Sequence, residues 1–156
     1  MDLTKILSIS GKPGLYKIIS QTKNNTIVES LIDGKRFPAY PSQIISILEE
    51  IAIFTTGEEI PLIDVLKLIY NKTQKKEVEH DIISDNLKLK SFFEEILPEY
   101  DKERVYVSDM KKVISWYNIL LKNNILDFET QENSENSEPN NNEEKTEEQI
   151  PQQTEE

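Results

Sequence analysis

Cysteine is absent from this 156-residue chain. That removes disulfides, thiolate zinc sites, iron–sulfur clusters and thiol catalysis from consideration, and it fits a reducing compartment. Histidine occurs once, at His80. A metal site there would need partners from Glu77, Glu79 and Asp81, which share no helical metal-binding spacing with it, so a surface histidine is the favoured reading. A serine–histidine–aspartate arrangement would have to use the same residue, and no nucleophile elbow precedes a helix. Long hydrophobic runs are also missing. Nothing approaches the ~20 apolar residues that cross a bilayer, and the N-terminal MDLTKILSISGKPG lacks the basic region and apolar core of a signal peptide. A soluble cytoplasmic protein with no membrane partner is expected.

An excess of bases is lacking as well. The formal charge is −11, with 18 Lys plus Arg against 29 Asp plus Glu. From Asp127 onward there are eleven acids and one base, Lys145, so that stretch carries −10. The part before it is nearly neutral and lacks the overall footprint of a strong nucleic-acid binder, though a local patch is compatible with it.

What is present begins with the stretch from Gly11 to Phe54. Residues 2–9 form either one helical turn or the lead into a strand. The GKPG run at 11–14 lacks the Walker pattern and reads as a turn. Strands are expected over Leu15–Ser20, Thr26–Ile32 and Lys35–Tyr40. Asn24-Asn25 makes the first turn, and Asp33-Gly34 the second, as a type I′ hairpin. Apolar residues fall on both faces of these strands, which suits a small curled barrel with another element packed outside it better than an open sheet. Pro38 and Pro41 interrupt pairing. Ser42 then caps a short helical segment, Gln43–Glu50, and Ile51–Thr55 closes the sheet. This order, with the YPSQII turn, resembles an SH3-like barrel.

Helical spacing follows. Leu62, Val65, Leu66, Ile69 and Tyr70 share one face after Pro61, as do Leu89, Phe92, Phe93, Ile96 and Leu97 after a Ser84 or Asp85 cap, with Pro98 as the stop. A third helix runs from a Ser108 cap to about Lys122, with Met110, Val113, Ile114, Tyr117 and Leu121 inward. Asn71–Glu79 and Glu99–Val107 are polar connectors. From Glu129 the chain is polar and acidic and is expected to be disordered. The expected organisation is α+β: an SH3-like barrel over 1–60, a helical unit over 61–126 and an acidic tail over 127–156.

No cofactor or metal is expected, and no catalytic residues converge. The adjacent pairs Glu49-Glu50, Glu58-Glu59 and Glu94-Glu95 point about 100° apart on helices and read as solvated faces. Lys12, Lys17, Lys23, Lys35 and Arg36 are candidate nucleic-acid contacts if they share a surface, with Tyr16, Phe37 and Tyr40 as stacking platforms; the favoured alternative puts those aromatics inside the barrel. Trp116 and Ile119 lie off the inward stripe of the third helix. Either a second layer covers them, the favoured reading, or they mark a contact with a partner. The acidic tail either solubilises the chain or shields a basic patch. A non-enzymatic binding or adaptor protein with a protein partner is the leading expectation, and RNA or ribosome binding by the barrel the second. An enzyme would require a polar pocket that sequence does not display. The oligomeric state is left open.

Two segments, LTKILSISGKPGLYKIISQTKNNTIVESLIDGKRFPAYPSQIISILEEIAIFT and VYVSDMKKVISWYNIL, together resemble a Bacteroidetes-type bacterial family, domain-of-unknown-function family 5606 with its helical C-terminal companion. The resemblance spans most of residues 2–122. It implies a bacterial, cytoplasmic origin and a two-part layout, and it implies no activity or catalytic residue.

Overall fold

The computed structural model describes residues 1–129. Five strands, β1 (Ile6–Ile9), β2 (Tyr16–Gln21), β3 (Thr26–Ser30), β4 (Arg36–Ala39) and β5 (Ile45–Ile47), form an antiparallel sheet in the order β4-β3-β2-β1-β5. A 3-10 turn, Leu48–Glu50, leads to a short hairpin of β6 (Ala52–Ile53) and β7 (Ile60–Pro61). Four helices follow: α1 (Leu62–Lys72), α2 (His80–Ser84), α3 (Asn86–Ile96) and α4 (Val107–Lys122). The α+β layout is therefore present. Among the described residues no ladder joins β4 to β5, so the sheet does not close by hydrogen bonds into the expected barrel.

Side chains alternate across the sheet, and both faces are used. The register pairs Leu7 with Tyr16, Ile18 with Val28 and Val28 with Phe37, so these residues share a face. Leu7, Ile9, Tyr16, Val28 and Ala39 are buried there as a small core of their own. Ile6 points the other way. With Leu3, Leu15 and Leu48 it joins the main core, built from Leu62, Leu66, Ile69, Phe93, Ile114 and Tyr117 of the helices. β1 is thus the seam between two cores.

Several local expectations are corrected. The strand that returns beside β1 is Ile45–Ile47, not Ile51–Thr55, and the expected helix Gln43–Glu50 shrinks to its last three residues. Ile44, Ile45, Ile47 and Leu48 fit either period, and pairing of Ser8 with Ser46 decides for the strand. The Asp33-Gly34 hairpin exists, but only Gly34 has positive φ, at 71°. The Gly34 N–H donates to Ser30 O at 2.9 Å, giving a four-residue loop in place of a type I′ turn. A fourth helix, α2, lies next to the 71–79 connector. In α4 it is Leu120, not Leu121, that is fully buried, and the helix begins at Val107 with Tyr106 at its cap position.

The faces expected on α1 and α3 are otherwise those that pack, with Phe92 only half-buried. Asp85 caps α3, its carboxylate accepting from Leu87 N–H at 2.9 Å and Lys88 N–H at 3.2 Å. The 73–78 loop is clamped to α4. Tyr117 hydroxyl donates to Lys76 O at 3.0 Å and lies 2.8 Å from the Thr73 hydroxyl. The Asn118 amide exchanges two hydrogen bonds with the Val78 backbone, at 2.8 and 2.9 Å. Phe128, assigned by sequence to the tail, is buried edge-on against Tyr70 with ring centroids 5.2 Å apart. The remainder of the expected acidic tail lies outside the described residues.

Candidate functional site: a groove around Trp116

One stripe of α4 faces the sheet. Asp109, Lys112, Val113 and Trp116 fall at i, i+3, i+4 and i+7, so they stack on one side of the helix. Opposite them lie two adjoining cavities of about 200 and 460 Å³ that share Ile51, Asp109, Lys112 and Trp116. The smaller is walled by Ile53, Phe54, Val105 and Val113. The larger opens between the loop at 11–14 and the outer face of β1 and β5, where Ser8, Ser46 and Ile44 line it. The paired serines are small, and this leaves room beside the indole.

Charges at the rim differ in their freedom. Asp109 accepts the Tyr106 N–H at 2.9 Å, which anchors the first turn of α4. Arg104 bonds Asp101 at 2.8 Å and its guanidinium stacks 4.3 Å from the Phe54 ring centre. That Arg104 bond, ahead of the Glu103 backbone N–H, holds the Asp101 carboxyl below its ordinary value. Lys112 is exposed and makes no ion pair with another described residue. The groove thus joins an apolar slot, the smaller cavity, to a more polar one lined by Ser8, Ser10, Ser46 and Lys12, with Lys112, which has no ion-pair partner among the described residues, at the lip they share. No pair of carboxylates or other reactive groups converges in it.

Trp116 is half-buried at the centre of this groove, packed on the main core. Ile119 is half-buried too, next to Gly14 and Ile32. Gly14 has φ of +85°, a left-handed conformation that favours glycine, and a Cβ there would stand 2.5 Å from the exposed Cδ1 end of Ile32, which would have to turn aside. Ile119 thus lies beside the loop at 11–14 of the sheet half, while Trp116 faces the groove.

The candidate basic residues do not form one patch. Lys17 and Arg36 both stand opposite Glu29 in the register, and Arg36 Nε bonds Glu29 at 2.7 Å. Lys35 lies 4.0 Å from Asp33. The Lys12 ammonium sits 3.9 Å over the Phe37 ring centre. Lys23 occupies the β2–β3 turn, away from the others in the chain path. Of the candidate stacking aromatics, Tyr16 is buried with Phe37 edge-on at 5.3 Å, while Tyr40 is exposed. His80 is exposed at the start of α2, and among the described residues no group of three or more histidine, aspartate or glutamate side chains is placed to hold a metal ion. No described helix is long and apolar enough to cross a membrane.

Sequence reasoning missed Phe54, Arg104 and Lys112 as neighbours of Trp116. The i, i+4 spacing of Lys112 and Trp116 on α4 could have shown that pair; Phe54 and Arg104 meet the indole through the path of the chain after β6 and the 99–106 connector, which no local pattern reveals.

This is an α+β protein of two sequence units, a five-stranded sheet and a helical half, joined by a common core. Residues 3–48 match the model of a domain of unknown function, DUF5606, and residues 51–120 match that of a second, DUF6852. The chain belongs to this family. It is similar to a protein from Bacteroides vulgatus whose solution NMR structure was determined as a structural-genomics target. The identity is 45%, the TM-score is 0.67, and the likeness covers 81% of this chain and 91% of that one. No curated protein matches the chain.

Proposed function

We propose that this chain is a non-enzymatic binding module and that the groove around Trp116 receives a segment of a protein partner. The reading rests chiefly on the two adjoining cavities that share Trp116 and Lys112. A half-buried aromatic in an apolar slot is the usual anchor of a recognition surface. The uncommitted Lys112 at its lip favours a partner segment that places a carboxylate beside a branched apolar side chain. The sheet supports this as a scaffold. The order β4-β3-β2-β1-β5 supports reading it as an SH3-like meander. Its inner face, Leu7, Tyr16 and Val28, is buried with no helix of the described residues in its core. That favours a sheet curled into an open, SH3-like half-barrel, which holds the groove floor rigid.

The test is photo-crosslinking from position 112 in the native cell, with position 90 on the exposed side of α3 as the control. A discrete protein adduct at 112, absent at 90 and lost on Trp116→Glu in a folded variant, is expected. Equal labelling from both positions, or none from 112, would refute the reading.

RNA binding through Lys12, Lys17, Lys23, Lys35 and Arg36 is the second reading. Lys17 and Lys23 make no ion pair with another described residue, and Lys23, exposed on the β2–β3 turn, is the one that stands clear of a carboxylate in the strand register. Glu29 and Asp33 among the others weaken the case, because a phosphate backbone would meet carboxylates there.

A further inference from the structure

The sheet has two edges, and they are built differently. At the β4 edge, the N–H of Ser30 in β3 donates to Lys35 O at 2.9 Å, so with the Val28–Phe37 register the nitrogen of Pro38 points off the sheet. Proline has no N–H to offer, and this edge is blunted. In β5 the Ser10 N–H donates to Ile44 O at 2.9 Å, which makes Ser8–Ser46 the next hydrogen-bonded pair. Ile45 and Ile47 therefore turn their N–H and C=O groups away from β1. No proline or charged residue interrupts this edge, and Ile44 and Ile45 are 72% and 38% exposed.

The two ends of β5 carry opposite charge. Lys23 lines a cavity with Ile45 on one side of the strand's start, and Lys112 lines one with Ile44 on the other. Glu49 and Glu50, both exposed, follow the strand's end. None of these four side chains makes an ion pair with another described residue.

We propose that β5 is a homodimerisation edge, on which β5 of a second copy pairs antiparallel about a two-fold axis to give a continuous ten-stranded sheet. An antiparallel two-fold brings the lysine end of each strand to the glutamate end of its partner, so the edge is complementary to itself. A parallel or unrelated strand gains no such match. The strand is short, and the dimer is accordingly weak and concentration-dependent.

The test is sedimentation equilibrium of the full chain across a wide concentration range, at about 0.15 M salt, where charges more than about 8 Å apart are screened. No other protein is present, so a failure here leaves the Trp116 groove untouched. A reversible monomer–dimer equilibrium is expected. Ile45→Pro removes an outward N–H, and none of the N–H groups that face β1, along with the isoleucine side chain, and should weaken self-association at least tenfold. Because that variant tests backbone, a second pair tests charge on exposed residues. K23E/K112E and E49K/E50K should each fail to self-associate, while an equimolar mixture of the two should form the heterodimer. Amide exchange at Ile45 and Ile47 should slow as concentration rises. A chain that stays monomeric at the highest concentration, or a dimer that persists unchanged in these variants, overturns the proposal.

Discussion

Tyr117 shows how much a single hydroxyl can hold. Its ring is fully buried, and its oxygen ties Lys76 O and the Thr73 side chain to α4. Tyr117→Phe should destabilise the chain by about 1–2 kcal/mol, because it leaves a carbonyl short of its donor. Urea unfolding measures this. Burial also raises the Tyr117 pKa above its ordinary 10.0, in spite of the Thr73 contact, which acts the other way. The folded state thus prefers the neutral phenol. Its contribution is complete below pH 10 and is lost as pH rises through the raised folded value, so alkaline unfolding should be less steep in Tyr117→Phe. The tyrosine was legible as a core residue from its spacing with Met110, Val113 and Ile114. Its hydroxyl partners were not, because they come from a loop about forty residues earlier in the chain.

At the scale of the element, caps and periods were the most readable features. Asp85 was one of two candidate caps for α3, and two backbone N–H donors choose it. Asp85→Ala should cost about 1 kcal/mol, seen as a lower denaturation midpoint with an unchanged slope. α1 was read almost whole, since Leu62, Val65, Leu66, Ile69 and Tyr70 repeat cleanly and all are buried. β5 was not. Its run of isoleucines satisfies a helical stripe as well as an extended one, and only the ladder to β1 separates the two. The hairpin at Asp33-Gly34 was found and its loop type missed, because glycine marks a positive φ without saying how many residues precede it.

For the whole molecule, the helical and sheet residues of the main core form one body. Phe128 lies at its rim, against Tyr70. Phe128→Ala should lower stability by roughly 3 kcal/mol, the lower end for an aromatic lost from a core. Far-UV and near-UV circular dichroism should still report one coincident transition. The two-part layout was visible in the change of hydrophobic period. That the parts share a core was not, since Leu3, Leu15 and Leu48 have no helical or strand period that points them at the helices. The groove around Trp116 is a product of that same meeting, and for this reason only its tryptophan was foreseen.

The seam at β1 has a genetic consequence. The two family models part near residues 48–51, but Ile6 serves the helices while Leu7 and Ile9, its close neighbours in the chain, serve the sheet. A gene cut at that boundary would yield two fragments, each with half of a hydrophobic surface uncovered. Produced separately, residues 1–49 and 50–156 should be insoluble or degraded; produced in the same cell, they should complement each other and copurify as a nicked but folded protein.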